Sequence, residues 1–208
     1  MNELYITSFV RIKDETATLN GDQILNGRPA REDFFNSLYA CLKMDYPKFY
    51  KMDKQSQLGI LAAEILIRSL PGYGKINPDE RALVLCNSAA SEYADRKFME
   101  TISDPENYFP SPSLFVYTLA NIVAGEICIR NHIKGENAFF VTEGFNAELI
   151  CFYISSLKKL NETSLFIGGW INFVESSYEA FIFTAELSAG SGYKILNKEN
   201  LSNLYFNQ

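Results

Sequence analysis

The chain has 208 residues, 47% hydrophobic and 21% charged, with a formal net charge of -6. This length can bury one substantial core, so we expect a single globular domain over residues 1–208. The acidic balance argues against a nucleic-acid partner, which clustered Lys and Arg would indicate. Apolar runs such as Leu165–Val174 are shorter than the roughly 20 residues that cross a bilayer, so we expect no membrane span.

Charged residues follow closely on the first apolar run, where Arg11 and Lys13 interrupt any signal-peptide core. We therefore expect a cytoplasmic protein. The cysteines are too far apart for a zinc spacing, and a secreted disulfide framework is not indicated. We expect neither a metal nor a cofactor, and we expect buried free thiols at all four positions, Cys41, Cys86, Cys128 and Cys151.

In the first half of the chain, β-branched and apolar runs predict two strands, and three- and four-residue apolar spacing predicts helices. The strongest helix covers residues 54–70 and is followed by Pro71, Gly72 and Gly74, which end it. The predicted order is a strand at 4–10, helices at 31–42 and 54–70, a buried strand at 82–86, and a helix at 91–102.

The second half alternates in the same way. Ser111-Pro112-Ser113 opens a long helix that runs to about His132 and is closed by Gly135. Strands then follow at 138–142, 164–167 and 179–187, with a helix at 146–160 between the first two. This alternation predicts an α/β fold with a five-stranded, mostly parallel sheet and helices on both faces, and the last strand pair allows one antiparallel edge.

Three segments, in this order, resemble the N-terminal half of a β-ketoacyl synthase, a member of the thiolase-like superfamily. The first, at 52–66, has a Met-Asp-basic start leading into an Ala-rich helix, and the last is the pair Gly168-Gly169, which resembles the glycines that end a strand. The middle segment, at 111–137, matches a Pro-led helix with an Asn, an Ala-Gly pair and a closing Gly, where Glu136 replaces the usual Pro. Its matching positions are Pro112, Asn121, Ala124, Gly125 and Gly135. The small pair Ala124 and Gly125 would let this helix lie close to the sheet.

The resemblance implies a nucleophilic cysteine on the turn that precedes the helix at 146–160. Counting from Gly135 places Gly144 at that position, and counting back from Gly168 places Glu143 there, so the nucleophile position is vacant in either alignment. Cys151 lies about two turns into the helix, and Cys86 ends a strand without the glycine frame of a catalytic turn. We interpret both as packed thiols, and Glu143 as a carboxylate stabilised by the helix N-terminus.

Ketosynthases also use two histidines from the second half of their fold. This chain has one histidine, His132, which we interpret as a helix C-terminal residue. Only about twenty residues follow Leu187, so the resemblance predicts a half-thiolase-like fold that cannot assemble a condensing enzyme alone.

The arrangement suggests a chain-length-factor role, in which an inactive ketosynthase-like subunit shapes the acyl tunnel of its partner. Our leading hypothesis is a non-catalytic accessory or partner subunit in a type II fatty-acid or polyketide-like pathway. The alternatives are an enzyme that binds an acyl thioester or an acyl carrier protein through an unidentified site, and a degenerate ketosynthase relic.

The helix at 146–160 is apolar over a wider arc than one sheet face requires, so part of it should form an exposed interface. We expect a homodimer, or a heterodimer with a ketosynthase-like chain, and an acyl carrier protein is a further possible partner. The interface candidates are Phe145, Leu149, Phe152 and Tyr153.

Overall fold

The structure of the chain is a computed structural model that describes residues 3–27, 33–160, 162–187 and 194–207. Within these described ranges, eight strands form one sheet, in the order β3-β2-β1-β7-β6-β4-β5, with β8 pairing to the start of β1. The strands are β1 Tyr5–Lys13, β2 Thr16–Leu19, β3 Asp22–Asn26, β4 Arg81–Asn87, β5 Asn137–Val141, β6 Leu165–Val174, β7 Ser177–Glu186 and β8 Lys194–Ile195.

All five predicted strands are present, as β1, β4, β5, β6 and β7. Their directions follow from four pairings. Strand β7 runs antiparallel to both β6 and β1, whereas β4 is parallel to β5 and β6. Four of the five therefore point the same way, as expected of a mostly parallel core. The strand count of five is wrong for the whole sheet, because the hairpin β2–β3 and the short β8 extend it by antiparallel pairing.

Helices cover both faces of the sheet, which confirms the predicted layered α/β architecture. They are α1 Phe34–Cys41, α2 Lys54–Arg68, α3 Glu92–Glu100, α4 Pro112–Phe115, α5 Ile122–Asn131, α6 Ala147–Leu160 and α7 Lys198–Phe206. One hydrophobic core includes side chains of α1, α2 and α5 on one face, and a second includes side chains of α6 and α7 on the other. Residues 31 and 32 of the first predicted helix lie outside the described residues.

The Met-Asp-basic segment begins α2 as predicted. The carboxylate of Asp53 accepts hydrogen bonds from the backbone amides of Gln55 and Ser56 and so caps the helix. Burial is the main cause that raises the pKa of this carboxyl group. The Asp of the Met-Asp-basic segment is therefore the N-cap of α2.

The long helix predicted at 111–132 is wrong as a single element. It breaks into α4, a 3-10 turn at Val116–Thr118, and α5, with Leu119 in extended backbone between them. The hydroxyl of Thr118 donates to the carbonyl oxygen of Phe115 at the end of the first piece. The first piece and α5 lie at 100° to each other, and no single helix among the described residues is long and apolar enough to cross a membrane.

The glycines have other roles than the sequence predicted. Gly168 and Gly169 lie inside β6 and do not end it. A side chain on Gly125 would meet nothing within 4 Å, so this residue does not bring α5 close to the sheet. The close helix contact is instead at Gly59 of α2, where an added Cβ would lie 2.4 Å from Val123 of α5.

Candidate functional site: the turn between β5 and α6

The turn between β5 and α6 lies at the carboxyl end of the parallel strands, where the predicted nucleophile position falls. Thr142, the first residue after β5, donates its backbone N–H to the carbonyl oxygen of Asn87 at 2.8 Å. Its hydroxyl donates to the carbonyl oxygen of Gly144 at 2.9 Å. These two bonds fix the start of the turn beside the end of β4.

The other end of the turn is fixed by a helix cap. The side-chain oxygen of Asn146 accepts a hydrogen bond from the backbone N–H of Leu149 at 2.9 Å, immediately before α6 begins at Ala147. Asn146, and not Glu143, therefore caps the helix. Glu143 and Gly144 are exposed, four and three residues before α6 begins, and neither is a cysteine.

An open depression of about 610 Å³ lies over this turn. Residues 141–148 line one side, and Lys198 and Ser202 of α7 line the other. Lys198 donates to the carboxylate of Glu148 at 2.6 Å, and this bond lowers the pKa of Glu148. Both side chains are exposed, so the pair contributes little to stability.

Aromatic side chains fill the space beneath the turn. The ring of Phe145 stacks on Tyr205 of α7 with centroids 4.0 Å apart and also makes an edge contact with Phe181 of β7. The hydroxyl of Tyr205 donates to Glu179, and the guanidinium of Arg11 lies over the Tyr205 ring at 5.2 Å. Helix α7 is therefore bound to the sheet face beside α6.

The cysteines are placed poorly for nucleophilic chemistry. Cys86 is buried in β4, and burial raises the pKa of its thiol to about 12. Burial likewise raises the pKa of Cys128 and of Cys151 to about 11. These placements agree with the interpretation of Cys86 and Cys151 as packed thiols. The expectation that all four thiols are buried is wrong, however, because Cys128 and Cys151 are half-buried and Cys41 is exposed at the end of α1.

His132 lies at the C-cap of α5 in left-handed backbone with φ of 52°, as its position before Gly135 predicted. No group of three or more His, Cys, Asp or Glu side chains within residues 3–27, 33–160, 162–187 and 194–207 could hold a metal ion.

The predicted interface residues of α6 are divided between two environments. Phe152 is 68% exposed, and Leu149 is half-buried. Tyr153 packs its ring against Phe140 of β5 at 5.1 Å, whereas Phe145 is covered by α7. Helix α7 was not predicted. Its signal in the sequence is Asn197, a typical N-cap residue, followed by Leu201 and Leu204 at the three-residue spacing of a helix.

Chains in solved ketosynthase complexes have a similar fold. The ishigamide ketosynthase/chain length factor matches with a TM-score of 0.62 and 15% identity, over 88% of this chain and 62% of that chain. This chain has the ketosynthase-like fold. The predicted layered α/β fold of ketosynthase type is thereby confirmed.

Chains in two further structures match most of this protein. A chain in the ketosynthase ApeO in complex with its chain length factor ApeC, from Xenorhabdus doucetiae, matches with a TM-score of 0.56 and 13% identity, over 90% of this chain and 80% of that one. A chain in a type II polyketide acyl-carrier protein complex with its hexaketide-bound ketosynthase, AntDE:AntF, matches with a TM-score of 0.63 and 12% identity, over 89% and 62%.

This chain thus spans less than two thirds of the matched chain in two of these structures. In the ApeO and ApeC complex only a fifth of the matched chain lies outside the match. No family model matches the sequence, and no curated protein matches it.

Proposed function

We propose that this chain is a non-catalytic, ketosynthase-like accessory subunit of a type II fatty-acid or polyketide-like pathway, acting in the cytoplasm beside a ketosynthase-like chain. The observation that carries the proposal is that the turn between β5 and α6 contains no cysteine, and the resemblance to ketosynthases would place their nucleophile at Glu143 or Gly144 of this turn. Acyl transfer by a ketosynthase requires a thiolate at this helix N-terminus.

The remaining thiols do not substitute for the missing nucleophile. The thiol of Cys151 is carried by the second turn of α6, and burial of that side chain raises its pKa to about 11. At neutral pH a thiol with a raised pKa has a smaller thiolate fraction than an ordinary cysteine, which disfavours nucleophilic attack. A role that needs the fold and not the nucleophile is therefore favoured.

The similarity to chains from ketosynthase complexes, two of which include a chain length factor, supports a partner role. Phe152 on α6 and Val141 at the end of β5 are exposed apolar side chains that are suited to contact with another chain. The predicted interface at α6 remains a proposal. Of its candidate residues, Phe152 is exposed, whereas α7 covers Phe145.

The test is an assay of the purified chain with malonyl and acyl thioesters of an acyl carrier protein. We expect neither release of CO2 nor a condensed product from the chain alone, because neither a positioned thiol nor a pair of histidines is present. Co-expression with each ketosynthase-like chain of the source genome should give one stable complex, whose product length differs from that of the ketosynthase alone.

Thiol labelling provides the control for this assay. Iodoacetamide at pH 7.5 should modify Cys41 first, and Cys41→Ser should leave buried Cys86 and half-buried Cys128 and Cys151 slow to react. Turnover by the chain alone that stops when Cys86, Cys128 or Cys151 is modified would contradict the proposal.

A further inference from the structure

Six large apolar side chains are exposed at the end of α3 and on the segment that joins α3 to α5. This surface is here called the 99–119 patch. Between 47% and 75% of each side chain is exposed, with Phe109 the most exposed. Single exposed apolar residues are common on proteins, but a cluster of this kind marks a binding surface. The members are Met99, Tyr108, Phe109, Phe115, Val116 and Leu119.

Specific contacts hold the patch in place. The ring of Phe115 packs against Phe98 of α3 with centroids 5.3 Å apart, and the backbone N–H of Phe109 donates to the carbonyl oxygen of Thr101 at 2.9 Å. The hydroxyl of Ser91 donates to the carbonyl oxygen of Thr118 at 2.8 Å. The apolar side chains are therefore presented by an ordered surface that is already formed.

The patch lies at the same end of the sheet as the vacant nucleophile turn. Asn87, the last residue of β4, accepts the backbone N–H of Thr142 from that turn. Four residues after Asn87, Ser91 is bound to Thr118 of the patch. A partner that covers the patch would thus lie at the same end of the sheet as the turn between β5 and α6.

The charges around the patch select the kind of partner. Residues 98–121 contain three acidic residues, Glu100, Asp104 and Glu106, and no Lys or Arg. All three acids are exposed, and Lys97 just outside the segment pairs with Glu100 at 3.0 Å. The remaining rim is negative, at Asp104 and Glu106.

A negative rim disfavours two otherwise reasonable occupants. A two-fold symmetric contact of this patch with itself would bring two negatively charged surfaces together and would supply no basic group to pair with the acids. An anionic membrane surface attracts Lys and Arg and would repel these acids. Charge complementarity instead requires an apolar surface surrounded by basic residues.

We infer that the 99–119 patch is the docking surface for a different protein chain that carries an apolar centre and a basic rim. The inference rests on the proposed function, in which this partner is the ketosynthase-like subunit. It assigns a heteromeric assembly to this face, where the sequence alone left homodimer and heterodimer open.

The test compares two double variants in complexes with the ketosynthase-like chains of the source genome, each co-expressed separately with this chain. Phe109→Ser with Leu119→Ser alters the patch, and Ile129→Ser with Phe206→Ser is the matched control at similarly exposed positions outside the patch and outside α6. The patch variant should weaken binding by more than about 50-fold, and the control by less than about 3-fold. Circular dichroism verifies that both variants are folded.

The rim is tested by Glu106→Lys. Charge reversal should weaken the complex by about 5–10-fold at low salt, and the difference should shrink as salt is raised. Sedimentation of the chain alone should show no self-association that the patch variant abolishes, and vesicles of anionic lipid should not bind.

The possible failures are distinguishable. If no ketosynthase-like chain binds, the proposed function is wrong and the inference fails with it. If one binds with unchanged affinity to the patch and Glu106→Lys variants, the docking surface is wrong while the proposed function stands. A wild-type homodimer or vesicle complex that the patch variant dissolves would overturn the heteromeric assignment.

Discussion

Gly169 shows how one residue fixes the packing of two strands. Its φ is 156°, and a Cβ at this position would lie 2.2 Å from the carbonyl oxygen of Phe181 in β7. At Gly168 a Cβ would lie 2.7 Å from the ring of Phe183. The sequence made this pair stand out as a motif, but it could not show that the constraint comes from the neighbouring strand.

Substitution of two glycines should therefore have opposite effects. Gly169→Ala should lower the free energy of unfolding by more than about 3 kcal/mol, because backbone atoms of β7 must move. Gly125→Ala, inside α5 with open space around the Cβ, should raise it by about 0.5–1 kcal/mol. Urea denaturation of both variants measures the two changes, and equal stabilities would show that β6 and β7 tolerate the extra atom.

At the scale of elements, apolar runs predicted the five strands of the sheet core because buried strands are continuous in hydrophobic residues. The hairpin β2–β3 was missed because Thr16–Leu19 and Asp22–Asn26 are short and largely polar. Helix α7 was missed because its core contribution comes from two leucines and one tyrosine, in a segment rich in Asn and Lys. Tertiary contacts give these segments their structure.

Helix α7 depends on Tyr205 for its attachment. This side chain stacks on Phe145 and donates to Glu179, whereas the neighbouring Phe206 is 68% exposed. Tyr205→Ala should lower the free energy of unfolding by about 3–4 kcal/mol, and Phe206→Ala by less than about 1 kcal/mol. Chemical denaturation of the pair separates the two, and similar losses would mean that α7 is held by its leucines alone.

Over the whole molecule, one sheet joins two hydrophobic cores. Successive residues of a strand face opposite sides, so Trp170 of β6 belongs to the core under α6 and α7 while Ile171 belongs to the core under α2. The loss of one core would therefore destabilise the strands on which the other core is built.

We expect cooperative unfolding for this reason. Trp170 is the single tryptophan, and its fluorescence reports on the α6 and α7 face, whereas far-UV circular dichroism reports on all helices. The two signals should change over the same range of urea. Fluorescence that changes at lower urea than circular dichroism would show that the faces unfold separately and that residues 1–208 do not form one cooperative domain.

The sequence predicted the absence of a nucleophile at the candidate site, because that conclusion needs only the residue types at Glu143 and Gly144. The accessible surfaces of the molecule could not be predicted in the same way. Phe145 and Phe115 are the same residue type, yet α7 covers Phe145 whereas Phe115 is 59% exposed. Exposure is decided by which distant segment returns to cover each side chain.

The composition of the 99–119 patch also determines how proteases meet it. Trypsin cleaves after Lys or Arg, and residues 98–129 contain neither, so this surface gives trypsin no site. Chymotrypsin cleaves after aromatic residues, and Tyr108 and Phe115 are exposed to it, whereas Pro110 protects the bond after Phe109. A bound partner that shields this segment would slow chymotrypsin there and leave the trypsin fragments unchanged, which makes the two enzymes a footprint of what covers the patch.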